Sequence, residues 1–107
     1  MNNERISILE SFLKEEPEDP FNWYAIAMEY KPIDLAKSKE YLTHLLTHFP
    51  DYLATYYQMA EIRIDASQKE GAEQVLEKGI ALAKVQKDMN TLRELQNLLN
   101  NLLFEED

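Results

Sequence analysis

Residues 51–84, DYLATYYQMAEIRIDASQKEGAEQVLEKGIALAK, repeat a pattern already present 33 residues upstream, and this internal periodicity constrains the fold more than any other feature. Within the stretch, Tyr56, Met59, Ala60 and Arg63 lie at helical spacing. Asp65, Ala66 and Ser67 interrupt the pattern, and Ala72, Val75, Leu76, Gly79, Ile80 and Ala83 resume it. The spacing predicts two helices joined by a tight turn. Ser67, with Glu70 three residues later, has the form of a capping box, in which hydroxyl and carboxylate satisfy orphan amides at a helix start. Asp51 is expected to cap the preceding helix in the same way.

The upstream copy places Trp23 over Tyr56, Tyr24 over Tyr57, Ile26 over Met59, Ala27 over Ala60 and Tyr30 over Arg63. In the second helix the offset becomes 34, with Leu42 over Leu76, Leu45 over Gly79 and Leu46 over Ile80. Leu9, Phe12, Leu13 and Pro17 stand 33 residues before Leu42, Leu45, Leu46 and Pro50, which is half of a further unit. A period in this range is that of a helical solenoid, whose hairpins bury their apolar faces against one another.

The pattern resembles the tetratricopeptide repeat. Its helix-pair positions fall here as Trp23, Ile26, Ala27, Tyr30, Ser38, Leu42, Leu45 and Pro50, then as Tyr56, Met59, Ala60, Arg63, Ala72, Leu76, Gly79 and Lys84. Leu45 is larger than the usual small residue, Arg63 replaces an aromatic and Lys84 replaces a proline. The resemblance implies an all-α, right-handed helical-hairpin repeat array, an alpha-alpha superhelix. A single domain over 1–107 is expected to hold a leading helix 3–15, repeat one 20–49, repeat two 51–84 and a capping helix 88–104.

Local signals place the helix ends. Asn2 or Asn3 is expected to cap the first helix, whose inner stripe is Ile6, Leu9, Phe12 and Leu13. Pro17 stops it, Asp19 caps the next, and Pro20 fits a first helical position that needs no amide bond. Lys31 and Pro32 end that helix, Asp34 caps the third, and Asp88 caps the last. Trp23 is expected in the core, and Ala27 and Ala60 at points where helix axes approach closely. Gly71 relaxes the first turn of its helix, whereas Gly79 permits close packing. From Met89 to Phe104 the leucines exceed one narrow stripe, so part of that face is expected to cover the preceding repeat and part to meet a second copy as a homodimer. Glu105, Glu106 and Asp107 form an acidic end expected to fray.

A formal charge of −9, from eleven basic and twenty acidic residues, disfavours nucleic acid and anionic membranes as partners. It suits a basic or apolar protein surface. The absence of cysteine excludes disulfides and thiolate metal sites. With neither a secretory leader pattern nor a membrane-length apolar run, the expectation is a soluble cytoplasmic protein.

No constellation for catalysis stands out: no cysteine nucleophile, no serine with an activating pair, no glycine-rich phosphate loop. An enzyme is not expected, nor is a cofactor. His44 and His48, four apart, could share a metal, but the leucine stripe turns them outward and nothing completes the site. They are expected as surface residues, with a metal, small-ligand or partner contact as alternatives.

In tetratricopeptide arrays the first helix of each pair lines a concave groove that takes an extended peptide. The groove positions implied here are Phe21, Tyr24, Met28 and Lys31, with Ala54, Tyr57, Glu61 and Ile64 from the next repeat. The carboxylate clamp of cochaperone-like members is absent, because Tyr24, Met28, Tyr57 and Glu61 stand where its Lys, Arg and Asn residues would. The expected function is thus a non-enzymatic protein-interaction or scaffold domain that binds a partner's peptide segment, with the acidic rim favouring a basic one. The alternative is a structural homo-oligomer assembling through the C-terminal helix.

Overall fold

The computed structural model describes residues 3–104, and among these it contains six helices and no strand. They are α1 (Asn3–Glu15), α2 (Pro20–Tyr30), α3 (Leu35–His48), α4 (Ala54–Asp65), α5 (Lys69–Gln86) and α6 (Met89–Phe104). Six helices in this order are what the apolar spacing predicts. Asn2 and the acidic end 105–107 lie outside the described residues. The chain divides into two compact units, Met1–Thr55 and Tyr56–Asp107.

In the first unit, α2 packs against both α3 and α1. The Asp19 carboxylate accepts from the N–H of Phe21 (3.0 Å), with Pro20 opening α2. Asp34 likewise accepts from the N–H of Lys37 (3.0 Å) at the start of α3. Both caps fall at the expected residues. The core gathers Ile6, Ile26, Ala27, Leu42 and Leu45, all buried. At the small position of α3, the buried Ser38 hydroxyl donates to the Ala27 carbonyl at 2.7 Å. This lets the hairpin close tightly without leaving a polar group unpaired. Buried Asn22 ties α2 to the end of α1 by donating to the Glu16 carbonyl at 3.0 Å, and Arg5 pairs with Glu29 across the same two helices at 3.2 Å. The inner stripe of α1 is narrower than expected. Ile6 is buried and Leu9 and Leu13 are half-buried, but Phe12 is 49% exposed because it turns past the strip that meets α2.

In the second unit α5 packs along α6, and Met59, Ala60, Ile62, Ala72, Val75, Leu76, Ala83, Leu95 and Leu102 are buried. Gly79 is the close-approach point. A Cβ there would lie 2.8 Å from the Tyr56 Cβ and 3.1 Å from a Leu95 methyl. Arg63 occupies the position of the missing aromatic by laying its side chain over Gly71 and donating from Nη1 to the Gly71 carbonyl at 3.0 Å.

Two predicted caps are corrected. Ser67 does not open α5: it adopts a left-handed conformation (φ 61°), and Gln68, which precedes α5, makes no side-chain cap. Ser67 closes α4 instead, with its N–H donating to the Ile64 carbonyl (3.0 Å) and that of Gln68 to the Arg63 carbonyl (2.7 Å), the paired bonds of a Schellman ending. Lys87 repeats the device after α5 at φ 60°, with Asp88 N–H bonded to the Ala83 carbonyl at 3.0 Å. Asp88 then caps α6 as expected, accepting from the Thr91 N–H (3.1 Å) and hydroxyl (2.9 Å). Asp51 is not at the N-cap of α4, since Tyr52 and Leu53 stand between it and Ala54.

Candidate interaction surfaces

On α2 the expected contact residues share a face by helical spacing: Tyr24, Met28 and Lys31 recur at intervals of four and three. Phe21, one turn earlier, is 58% exposed, while the other three are half-buried. The Tyr24 ring meets Tyr52 at 5.6 Å between centroids with a 54° tilt. Burial pushes the Tyr52 hydroxyl above its ordinary pKa, and the neighbouring Tyr24 and Asp19 add to the rise. Tyr24 is therefore a half-buried ring packed against a second aromatic.

Tyr57, Glu61 and Ile64 keep the same spacing on α4, and all three are half-buried. Burial raises the pKa of the Tyr57 hydroxyl, and the carboxylates of Glu61 and Glu94 raise it further by opposing a phenolate. The hydroxyl stays protonated and available as a donor. Ile64 lies beside α6, where it lines a hollow of about 150 Å³ with Leu98, Asn101 and Leu102. Ala54, also half-buried, opens α4.

His48 is exposed, as expected from the leucine stripe, but His44 is half-buried. His44 stacks on Trp23, with centroids 3.6 Å apart and planes 17° from parallel, and His48 adjoins it at 4.4 Å. Trp23 is consequently half-buried beneath His44 rather than fully in the core, with its indole N–H donating to the Pro17 carbonyl at 2.7 Å. Tyr41 completes the cluster, 6.0 Å from Trp23 and 5.9 Å from Tyr30. Desolvation lowers the His44 pKa, and the adjacent His48 lowers it further. Among the described residues no group of three or more His, Cys, Asp or Glu side chains is placed to hold a metal.

Sequence reasoning passed over a cleft beside this cluster. Pro20, His48, Phe49, Pro50, Asp51 and Tyr52 surround about 280 Å³ where α3 ends and α2 begins. The available signal was the density of aromatic and proline residues in 48–52, which the repeat pattern had absorbed as a turn.

Paired helices, buried small residues and a closing helix define a class, the all-α helical-hairpin repeat protein of tetratricopeptide type. Solved structures agree. A solution structure of a tetratricopeptide repeat domain protein from Salinibacter ruber is similar at TM-score 0.78 and 28% identity, covering 84% of this chain and 92% of that one. A crystal structure of a tetratricopeptide repeat domain protein from the same organism matches at 0.78 and 27%, covering 82% and 100%. A protein from Bordetella parapertussis shares the fold at 0.78 and 22% identity, over 94% and 88% of the two chains. No protein-family model and no curated protein matches the sequence. Folds of this type generally mediate protein–protein interaction and are typically non-catalytic. Among the described residues no helix is long and apolar enough to cross a membrane.

Proposed function

We propose that the chain is a non-catalytic, cytoplasmic protein-interaction module that takes a peptide segment of a partner, basic or apolar in character. Contact is made through Phe21, Tyr24, Met28 and Lys31 on α2 and through Tyr57, Glu61 and Ile64 on α4. The observation that carries this reading is the contrast within each helix. Ile26 and Met59 at the packing positions are fully buried, whereas Tyr24 and Tyr57, equivalent to each other one repeat apart, are only half-buried. Large amphipathic rings in such settings supply contact area and a hydroxyl for a peptide backbone. The excess of negative charge favours basic segments and makes association sensitive to salt. The test is residue-resolved NMR titration with a partner fragment recovered on the immobilised chain, repeated with Tyr24→Ala and Tyr57→Ala. Perturbations centred on α3 and α5, with both variants binding as tightly as the parent, would exclude these faces.

A second reading has one observation in its favour. At the end of α6, Leu103 is 41% and Phe104 77% exposed, apolar surface that a second copy could cover. Molecular mass across a dilution series decides it, since a monomer at high micromolar concentration removes the homodimer.

A further inference from the structure

We infer that His44 and His48, one turn apart on α3, bind a divalent transition-metal ion of the copper, nickel or zinc type between their imidazole rings. The inference is independent of the peptide-contact faces of α2 and α4. Three features of the first unit carry it. The first is spacing: residues four apart share one helix face, the arrangement by which paired histidines of a single helix hold zinc in metalloproteases. The second is distance. An imidazole nitrogen binds zinc at ~2.0–2.1 Å, so two nitrogens on one ion lie at most about 4 Å apart. The two rings stand 4.4 Å apart between centroids and 35° from parallel, and His48, which is exposed, has room to turn its edge towards that of His44.

The third is preorganisation. His44 lies against Trp23 at 3.6 Å and 17°, and the indole is itself held by its N–H bond to the Pro17 carbonyl at 2.7 Å. Stacking occupies the face of the His44 ring, whereas a metal binds a nitrogen lone pair in the plane of the ring. The contact that fixes His44 therefore does not compete with an ion. It plays the part that outer-shell partners play in metal sites, orienting a ligand ring before the ion arrives.

The donor set selects the ion. Two imidazoles suit Cu²⁺, Ni²⁺ and Zn²⁺, with Cu²⁺ the tightest of the three, whereas Mg²⁺ and Ca²⁺ require oxygen ligands. Among the described residues no third His, Cys, Asp or Glu joins the pair, so the remaining positions of the ion belong to water. The net charge of −9 draws cations towards the chain without itself forming a site.

Trp23 is the single tryptophan, so its fluorescence reports directly on the His44 ring stacked against it. Cu²⁺ added to the full, untagged chain at neutral pH should quench it saturably at a single equivalent, and EDTA should restore it. Zn²⁺, followed by NMR, should shift the imidazole signals of His44 and His48 together, and Mg²⁺ should shift neither. His48→Ala leaves the stack on Trp23 in place, and His44→Phe keeps a ring there without a donor nitrogen. Each should weaken binding by about tenfold or more, since losing a ligand costs at least what losing an outer-shell partner does. Quenching that does not saturate, Zn²⁺ shifts spread over the acidic surface, or His48→Ala binding as tightly as the parent would overturn the inference.

Discussion

Gly79→Ala tests the packing of the second unit at its tightest point, because the same methyl that favours a helix must enter a space already filled. In a helix interior, replacing glycine by alanine gains about 1 kcal/mol of propensity. Against this, the new Cβ would stand 2.8 Å from the Cβ of Tyr56 and 3.1 Å from Leu95 Cδ1, where carbon atoms prefer roughly 3.5–4.0 Å. The Tyr56 Cβ is bonded to its own backbone and cannot rotate aside, and Leu95 is fully buried with no free direction to move. The α4 and α5 backbones must therefore part by several tenths of an ångström or more, and overpacking of this kind costs about 1–3 kcal/mol. With a cost near the upper end of that range, the net expectation is a loss of about 1–2 kcal/mol. At about 4–8 °C per kcal/mol for a domain of roughly this size, the melting temperature falls by about 4–16 °C. Gly71→Ala is the control. Its Cβ would meet only the flexible Arg63 side chain at 3.3 Å, so propensity should prevail and stability should hold or rise by about 0.5 kcal/mol. Urea and thermal unfolding by circular dichroism read both variants. A Gly79→Ala variant as stable as the parent would refute the close approach of Tyr56, Gly79 and Leu95.

Ser67→Gly should stabilise the chain by about 1 kcal/mol in urea unfolding, because a β-carbon is penalised at φ 61° and glycine is not. Thr55→Val should leave stability unchanged or raise it by about 1 kcal/mol in the same assay: the Thr55 hydroxyl is buried without a hydrogen-bond partner among the described residues, and valine keeps the shape. His44 makes stability depend on pH. Its pKa is lowered on folding from the usual ~6.5, so the unfolded chain binds the proton more readily, and stability present above that pH declines on acidification towards the folded pKa. Comparing midpoints between neutral and mildly acidic pH should show a smaller slope for His44→Phe, which keeps a ring against Trp23 without titrating; equal slopes would remove His44 as the source.

Features that depend on near neighbours along the chain were legible in the residues alone. Apolar spacing located all six helices, and Asp19, Asp34 and Asp88 announced three helix starts because a cap bonds an amide only two or three residues away. The repeat offset also singled out Ala27 and Ala60 as small, since each copy explained the other. Tertiary structure decided the rest. Ser67 and Glu70 satisfy the letter pattern of a capping box, yet the path from α4 into α5 demands a left-handed residue, and chain direction is not written in local spacing. Phe12 sits on the predicted stripe of α1 but outside the strip that α2 covers, because the width of a contact depends on the helix opposite. Tyr24 and Tyr57 were legible as equivalent positions, but the bracing of Tyr24 by Tyr52 was not. His44 resting on Trp23 and Pro20 facing Phe49 and Tyr52 likewise join residues more than 20 positions apart, contacts that form only when the α2–α3 hairpin closes.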